Sequence, residues 1–222
     1  MIVRKLIVGF VSVFISLSSF AADNSRPWKT CSATAAPGTV ALTFDDGPSK
    51  DDTKQILSIL EHYHIRATFF VVGIMAKVHP EYLKQMIADG DVIGNHSMTH
   101  PQLPKLNDDQ LYNEVVGTQN LIYQLCGVYP QVFRFPYGAE NERVKQFVTS
   151  QNLVPVGWGY TPQDYERPGV DAIVNRVIAN AKSGQIILLH DGPDKREQTV
   201  QALPKIIEGI QQKGLGFSVV CQ

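Results

Sequence analysis

Two adjacent carboxylates, Asp45 and Asp46, stand at the end of an apolar run in residues 42–48, LTFDDGP. Two anions this close repel each other and lose hydration where a strand is buried, so at least one of them needs a compensating partner. A strand that ends in a polar turn is the simpler explanation, because Asp, Gly and Pro are ordinary turn residues. The other polar residues of the chain favour a functional site over a turn.

A pair of histidines offers one way to compensate the charge. His96 and His100, in residues 94–100, GNHSMTH, are four apart, and this spacing places two imidazoles on one side of a helical turn or tight loop. With one carboxylate they form a set of metal ligands that leaves open positions for water and substrate. Because such pairs also occur by chance on solvated helices, the hypothesis depends on a fold that brings them near Asp45 and Asp46.

The periodicity of the chain predicts such a fold. Apolar clusters of strand length recur at residues 40–44, 67–71, 92–94, 132–135, 154–157, 186–189 and 217–220. Segments with helical spacing of apolar residues separate most of them, at residues 56–63, 111–125, 170–178 and 203–210. Strands that alternate with helices predict parallel βα units. About seven such units in a chain of this size indicate a closed or nearly closed (β/α) barrel, with an open sheet as the alternative.

Polar residues interrupt or follow most of these strands. They are Asp45 and Asp46 after the first, His96 and His100 after the third, Arg134 within the fourth, Asp164 after the fifth, and His190 with Asp191 at the end of the sixth. The working groups of parallel α/β folds lie at the carboxyl ends of the strands, which meet at one rim. We therefore expect these side chains to converge there.

The converging groups suit hydrolysis assisted by a metal. A bound divalent metal lowers the pKa of a water and polarises a carbonyl oxygen. One aspartate would bind the metal while the other stays free to accept the proton of the water, and His190 would protonate the leaving group. Arg134 would hold the base ionised through a charge-assisted hydrogen bond. A surface ion pair is the alternative for Arg134, but an arginine inside an apolar strand needs a buried partner.

With these residues the chain resembles the polysaccharide deacetylase family, the NodB-homology domains of carbohydrate esterase family 4. The resemblance runs from Val40 to the C-terminus through five motifs in order, of which the first, second, third and fifth read TFDDGP, HSMTH, RFPYG and ILLHD. The fourth motif departs from the family pattern Asp-x-x-Asp-Trp, because residues 161–165 read TPQDY. Thr161 and Tyr165 replace its first Asp and its Trp, and this difference falls on the sugar groove.

The resemblance implies a distorted (β/α) barrel with about seven parallel strands and a metal site at its rim. Asp45 would be the catalytic base, and Asp46, His96 and His100 would be the metal ligands. Zinc is the expected cofactor, although two imidazoles and one carboxylate also suit Co²⁺, Ni²⁺ or Fe²⁺.

The remaining motif residues also receive roles from the resemblance. Arg134 would brace the base, and the backbone N–H of Tyr137 would help to bind the oxyanion. His190 would be the catalytic acid and Asp164 would tune it. Leu188 would line the acetyl pocket, and Tyr165 would contact substrate.

The implied activity is removal of N-acetyl groups from N-acetylglucosamine units of a polysaccharide or oligosaccharide. Peptidoglycan is the preferred substrate because the chain carries no evident separate binding module, and chitin oligomers come next. Two alternatives stay open. An O-acetyl esterase acting on xylan would need the same centre, and a sugar-binding protein could retain a relict site.

Composition narrows the setting in which the protein works. The 222 residues are 44% hydrophobic with a net charge of -1, which predicts one sizeable core and lacks the basic footprint of a nucleic-acid-binding protein. Arg4 and Lys5 precede an apolar run at residues 6–20 and then small residues, the layout of a secretory signal peptide over residues 1–21. That run is short for a membrane span, so an uncleaved anchor is the lesser alternative. Residues 22–222 would form the catalytic domain, exported to the periplasm or outside the cell without stable membrane insertion.

Three cysteines, Cys31, Cys126 and Cys221, remain in the chain after the predicted cleavage. Disulfides persist outside the cytoplasm, and an odd count leaves one thiol over. Cys31 and Cys221 flank the domain, and a bridge between them would join its two ends. We therefore predict a Cys31–Cys221 disulfide and a buried free thiol at Cys126.

Overall fold

A curled, all-parallel β-sheet forms the centre of the molecule. The computed structural model describes residues 33–221. The strands are β1 (Thr39–Asp45), β2 (Thr68–Val71), β3 (Val92–Asn95), β4 (Val132–Phe133), β5 (Val154–Pro155), β6 (Gln185–His190) and β7 (Gly216–Phe217). Six of them follow the order β5-β4-β3-β2-β1-β6, and β7 pairs with the start of β1. Each strand lies in or overlaps one of the apolar clusters of the sequence, so the predicted fold class is confirmed.

The two ends of the sheet approach each other at a single bridge. Tyr160, which follows β5, pairs in parallel with Ile187 of β6. The Tyr160 N–H donates to the carbonyl of Ile186 at 3.2 Å, and the Leu188 N–H donates to the carbonyl of Tyr160 at 2.9 Å. β4 and β5 have only two residues each, so few residues pair with the neighbouring strands there, and the barrel wall is incomplete on the side formed by β4 and β5. The result is a distorted half-barrel.

Helices follow most of the strands. They are α1 (Asp52–His62), α2 (Gly73–Val78), α3 (Pro80–Asp89), α4 (Asp108–Tyr112), α5 (Thr118–Cys126), α6 (Glu142–Ser150), α7 (Val170–Asn180) and α8 (Glu197–Gln212). A π-helical segment, Asn113–Gly117, joins α4 to α5, so the segment predicted over 111–125 is one helical stretch. Helices α2, α3 and α6 are additional to the four segments that periodicity predicted. They are short, and six to ten residues carry little periodic signal.

The alternation of side chains along β1 separates the helix-facing core from the barrel interior. Val40, Leu42 and Phe44 belong to the large cluster packed beneath the helices. Ala41 belongs instead to the interior cluster, and the Thr43 hydroxyl accepts a hydrogen bond from Arg134 there. Asp45 has the parity of Ala41 and Thr43, so its carboxylate is directed into the interior at the carboxyl end of the strand.

Several expectations about the chain ends lie outside the described residues. The predicted signal peptide and Cys31 are among them, so the cleavage and the Cys31–Cys221 pairing stay predictions. Cys126 is a free thiol but is only partly buried, and its Sγ donates to the carbonyl of Ile122 at 3.1 Å. Within residues 33–221, the helices are all too short or too polar to cross a bilayer.

Candidate active site and metal centre

A cleft of about 410 Å³ opens at the carboxyl end of the sheet. Eight of the residues to which the sequence assigned a role line it, namely Asp45, Asp46, His96, His100, Tyr137, Tyr165, Leu188 and His190. Phe135, Trp158 and Thr161 complete the lining. Arg134 and Asp164 lie behind this surface, where each contacts one of the lining residues. The convergence predicted from strand ends is therefore present.

Three of these side chains form a compact cluster of potential metal ligands. Nε2 of His96 lies 3.5 Å from Oδ1 of Asp46, and Nε2 of His100 lies 3.2 Å from the same oxygen. One ligand atom from each residue lies within 4.8 Å of the other two. The spacing is that of groups which could share one ion.

The hydrogen bonds of the cluster fit a cation. Nδ1 of His96 lies 2.8 Å from the carbonyl of Arg134, which can only accept, so the ring proton is on Nδ1 and Nε2 keeps its lone pair. Oδ1 of Asp46 is buried and has no hydrogen-bond partner among the described residues. A buried carboxylate oxygen without a partner is costly, and a divalent metal beside it would supply the missing interaction.

The charges of the cluster favour the same conclusion. Burial by itself would raise the pKa of Asp46, but the adjacent His96 and then the His100 and His190 imidazoles outweigh it and hold the pKa below its usual value. Burial, and then the adjacent His96, lower the pKa of His100. Near neutral pH the cluster therefore offers an ionised carboxylate and a neutral His100 imidazole, the states in which these groups bind metals.

Polar contacts fix the loop that carries the two histidines. The Asn95 carboxamide accepts from the Ser97 N–H at 2.9 Å, and the Ser97 hydroxyl accepts from the His100 N–H at 3.0 Å. The Glu114 carboxylate accepts from the backbone N–H groups of Met98 and Thr99, both at 2.8 Å. Sequence reasoning missed Asn95 and Glu114. The asparagine beside His96 was the only local signal, because Glu114 reaches the loop from a helix.

Asp45 is paired with Arg134 inside the barrel. Its Oδ1 accepts from Nη1 of Arg134 at 2.7 Å, and the arginine side chain is fully buried. The guanidinium also donates to the Thr43 hydroxyl at 2.8 Å and to the carbonyls of Val156 at 3.3 Å and Gly157 at 3.0 Å. The alternative of a surface ion pair for Arg134 is therefore wrong, and Asp45 is held as a buried, oriented carboxylate.

His190 is paired with Asp164 on the other side of the cleft. Nδ1 of His190 lies 2.8 Å from Oδ1 of Asp164, and the His190 backbone N–H donates to Oδ2 at 2.9 Å. Burial lowers the pKa of His190, but the hydrogen bond and the charge of Asp164 outweigh it, so the pKa lies above its usual value. The protonated form that an acid catalyst needs is thereby favoured.

The loops after β1 and β6 share the sequence Asp-Gly-Pro and are joined by a hydrogen bond. β1 and β6 pair with Asp45 opposite His190, so Asp191 lies beside the start of the Asp46 loop. The Asp191 carboxylate accepts from the Gly47 N–H at 3.1 Å and from the Thr53 hydroxyl at 2.6 Å. Burial is the main cause that raises the pKa of Asp191 to about 7. Asp191, for which the sequence suggested no role, thus fixes the loop that carries Asp46.

The remaining lining residues form the walls of the cleft. Tyr137 has a left-handed backbone (φ 60), and its ring centroid lies 4.5 Å from that of His100. The Tyr165 ring meets His190 edge-on at 5.3 Å. Leu188 is almost fully buried, whereas Trp158, which sequence reasoning missed, is 38% exposed. The walls are therefore largely apolar and aromatic around a polar floor.

Fold and site together define the class of a parallel-barrel hydrolase with a place for one metal ion. Residues 32–156 match the family described as polysaccharide deacetylase. Over 185 residues the chain is 38% identical to a peptidoglycan-N-acetylglucosamine deacetylase of Bacillus cereus, covering 82% of this chain and 86% of that one. A second B. cereus protein of the same description is 38% identical over 179 residues, or 80% of this chain, which spans 65% of that relative's length.

Further relatives agree with this match. A chitooligosaccharide deacetylase of Sinorhizobium fredii is 38% identical over 197 residues, covering 82% of this chain and 90% of that one. A solved peptidoglycan N-acetylglucosamine deacetylase, in complex with 4-naphthalen-1-yl-N-oxidanyl-benzamide, superposes with a TM-score of 0.80 at 36% identity, covering 83% of this chain and 88% of that one. The chain belongs to the polysaccharide deacetylase family, that of the NodB-homology domains of carbohydrate esterase family 4, and is a hydrolase of the carbohydrate deacetylase class.

Arg134→Lys tests how much the buried guanidinium stabilises the site. A lysine can keep one charge near Asp45, but the carbonyls of Val156 and Gly157 lose their donors. Each buried group left without a partner costs about 1–3 kcal/mol, so we expect a clear fall in the free energy of unfolding by urea. Arg143→Lys is the matched control, because Arg143 is half exposed and should change stability by less than about 0.5 kcal/mol. Equal stability of both variants would contradict this account.

Proposed function

We propose that this protein is an exported, metal-dependent deacetylase that removes N-acetyl groups from N-acetylglucosamine units. Peptidoglycan is the first substrate that we propose, and chitin oligomers are the second. One observation carries the proposal. A buried Asp46 oxygen without a hydrogen-bond partner in the described residues faces two imidazoles, with Asp45 and His190 beside it at the ends of neighbouring strands.

Asp46, His96 and His100 would hold the metal. Zinc is our first choice because two imidazole nitrogens and one carboxylate, with open positions left for water and substrate, are typical of catalytic zinc. Cobalt, nickel and iron accept the same donors. When bound, the ion supplies a polarised carbonyl oxygen and a water of lowered pKa.

Asp45 would act as the general base. It accepts a proton from the water as the oxygen attacks the amide carbon, and the hydrogen bond from Arg134 keeps the carboxylate oriented until then. Negative charge develops on the carbonyl oxygen, to which the backbone N–H of Tyr137 would donate. This use of Tyr137 rests on the family resemblance and on its place in the cleft wall.

His190 would act as the general acid. Asp164 binds the proton on Nδ1, which leaves Nε2 as the nitrogen that can deliver a proton to the departing amide nitrogen. The C–N bond then breaks, releasing acetate and a free amine on the sugar. The apolar Leu188 is suited to contact the acetyl methyl group, and Trp158 and Tyr165 present faces on which a sugar ring can pack.

The relatives support both proposed substrates and do not separate them. The B. cereus proteins are described as peptidoglycan deacetylases and the S. fredii protein as a chitooligosaccharide deacetylase, at equal identity. Thr161 and Tyr165 line the cleft where the family pattern has Asp and Trp, so they are the residues through which this chain would differ in substrate preference.

Export is part of the proposal. It is supported by the basic start, the apolar run and the small residues of positions 1–21. We expect the N-terminus of the exported protein to be Ala22, as read by N-terminal sequencing.

We also expect a disulfide between Cys31 and Cys221. Non-reducing peptide mapping should recover a disulfide-linked pair of peptides that contain these two cysteines, and finding Cys126 in a disulfide would show this pairing to be wrong.

Separate substitutions of the two adjacent aspartates test the division of labour between them. Asp45→Asn should keep the metal but lower turnover by about 10²–10⁴-fold, because an amide cannot accept the proton of the water. Asp46→Asn should lose metal affinity first and recover part of its activity at high metal concentration. Metal content and deacetylation rate are measured for both variants. Asp171→Asn, on the exposed face of α7, is the control for loss of one carboxylate.

The roles would be reversed if Asp45→Asn lost the metal while Asp46→Asn retained it. Full metal content and full rate in both variants would mean that neither carboxylate takes part.

Product analysis tests the reaction itself. Incubation with a chitopentaose bearing five N-acetyl groups, or with purified peptidoglycan, should release acetate and an equal amount of new free amine. A chelator should abolish the release, and added zinc should restore it. Acetate from acetylated xylan, without activity on either N-acetylated substrate, would identify an O-acetyl esterase. Release from none of the three would identify a sugar-binding protein.

A further inference from the structure

Three consecutive residues at the start of α8 hold the 161–169 loop, which carries Asp164 and Tyr165 into the site. Glu197 accepts a hydrogen bond from the guanidinium of Arg167. The Gln198 carboxamide accepts from the Gly169 N–H at 2.8 Å, and the Thr199 hydroxyl donates to Oδ2 of Asp164, also at 2.8 Å. The first turn of one helix therefore contacts the loop at three points.

The backbone of this loop explains why it needs outside contacts. Gln163 and Arg167 are in the left-handed region, at φ 58 and φ 54, and Gly169 is at φ 101. Residues other than glycine adopt positive φ at a cost, and such a conformation persists only where the surrounding structure imposes it. The contacts from α8 help to impose it, together with the hydrogen bond that the Arg176 guanidinium of α7 donates to the carbonyl of Pro162 at 2.9 Å.

Thr199 differs from its two neighbours because it contacts the carboxylate that holds His190. The Asp164 side chain is fully buried and accepts three hydrogen bonds in the described residues. Two of them come from His190, one from its imidazole and one from its backbone N–H at the end of β6, so among the described contacts Thr199 is the donor that joins the Asp164 carboxylate to a second element. The third comes from Thr199, which is only 1% exposed, so water has little access to replace it.

We propose that Thr199 is a positioning residue for His190. By fixing Oδ2 of Asp164 against α8, it fixes the plane of the carboxylate, and the carboxylate in turn fixes the tautomer and direction of the imidazole. The positive end of the α8 dipole favours the ionised carboxylate at the same place. This role rests on the proposed function, in which His190 is the acid. Thr199 lies outside the five motifs, in an amphipathic helix, and had no signal in the sequence.

The leaving group of the substrate separates positioning of an acid from general structural damage. An amide nitrogen must be protonated to leave, so deacetylation of an N-acetyl sugar depends on His190. A p-nitrophenolate leaves as a stable anion and needs no acid. A variant that disturbs only the acid should therefore lose amide hydrolysis and keep hydrolysis of p-nitrophenyl acetate.

Thr199→Val removes the hydroxyl at nearly constant volume and is the test. We expect kcat on the N-acetylated chitopentaose to fall about 10-fold, the equivalent of one hydrogen bond, at unchanged KM. The rate on p-nitrophenyl acetate should stay within about 2-fold, and Thr199→Ser, which keeps the hydroxyl, should restore the amide rate. Thr118→Val is the matched control, because it removes another buried hydroxyl, bonded to the carbonyl of Glu114. That control should leave the ratio of the two rates unchanged.

Equal losses on both substrates, or no loss on the amide, would overturn the proposal. If the valine variant does not fold, as judged by circular dichroism, Thr199→Ala is measured in the same way and the same outcomes apply. His190→Asn separates this proposal from the proposed function. If His190→Asn lowers both rates equally, the acid role of His190 is wrong, and the positioning role with it. If His190→Asn lowers only the amide rate, while Thr199→Val and Thr199→Ala leave the amide rate unchanged, the positioning role alone is wrong.

Discussion

A single buried arginine connects the two halves of the site. The Arg134 side chain reaches across the barrel interior to Asp45 at the end of β1, and it donates to the carbonyls of Val156 and Gly157 after the neighbouring strand β5. Its own carbonyl accepts the Nδ1 proton of His96. The orientation of the proposed base and that of a proposed metal ligand therefore depend on one residue. A charge buried this deeply is tolerated only because its donors meet acceptors on every side, and the same acceptors hold it in one position.

The four aspartates of the site illustrate how surroundings divide the work among identical side chains. Asp45 is neutralised by a guanidinium, and Asp164 accepts three hydrogen bonds. Asp191 is bound to a backbone N–H and a hydroxyl, and burial raises its pKa. Asp46 alone leaves a buried oxygen without a partner in the described residues. A cation could supply the partner that Asp46 lacks, whereas no buried oxygen of Asp45, Asp164 or Asp191 lacks a partner among the described residues.

Strand pairing places the proposed base beside the proposed acid. β1 and β6 are neighbours in the sheet with Asp45 opposite His190, although the two residues are far apart in the chain. The Asp-Gly-Pro loops that follow both strands are joined through Asp191 and Gly47. A movement of one loop would therefore displace the other, which makes the separation of Asp45, Asp46 and His190 a property of the paired strands β1 and β6 rather than of independent loops.

The sequence by itself determined the strands, the βα alternation and the set of residues at the rim. Apolar periodicity is a local property, and the carboxyl-end rule converts strand ends into neighbours without further information. Asp45, Asp46, His96, His100 and His190 were accessible in this way. The family resemblance added which of the two aspartates is the base, and the roles of Asp164, Tyr137, Leu188 and Tyr165.

Only the tertiary structure decided which partner each polar group has. The contacts of Arg134 with Asp45, of Asp191 with Gly47 and of Thr199 with Asp164 join residues 89, 144 and 35 positions apart. No local pattern encodes such pairs, because a hydrogen bond depends on where two side chains meet after the chain has folded. The shortness of β4 and β5 has the same origin, since a strand ends where its neighbour stops offering partners. The residues that could do chemistry were thus readable in the chain, and the contacts that orient them were set by packing.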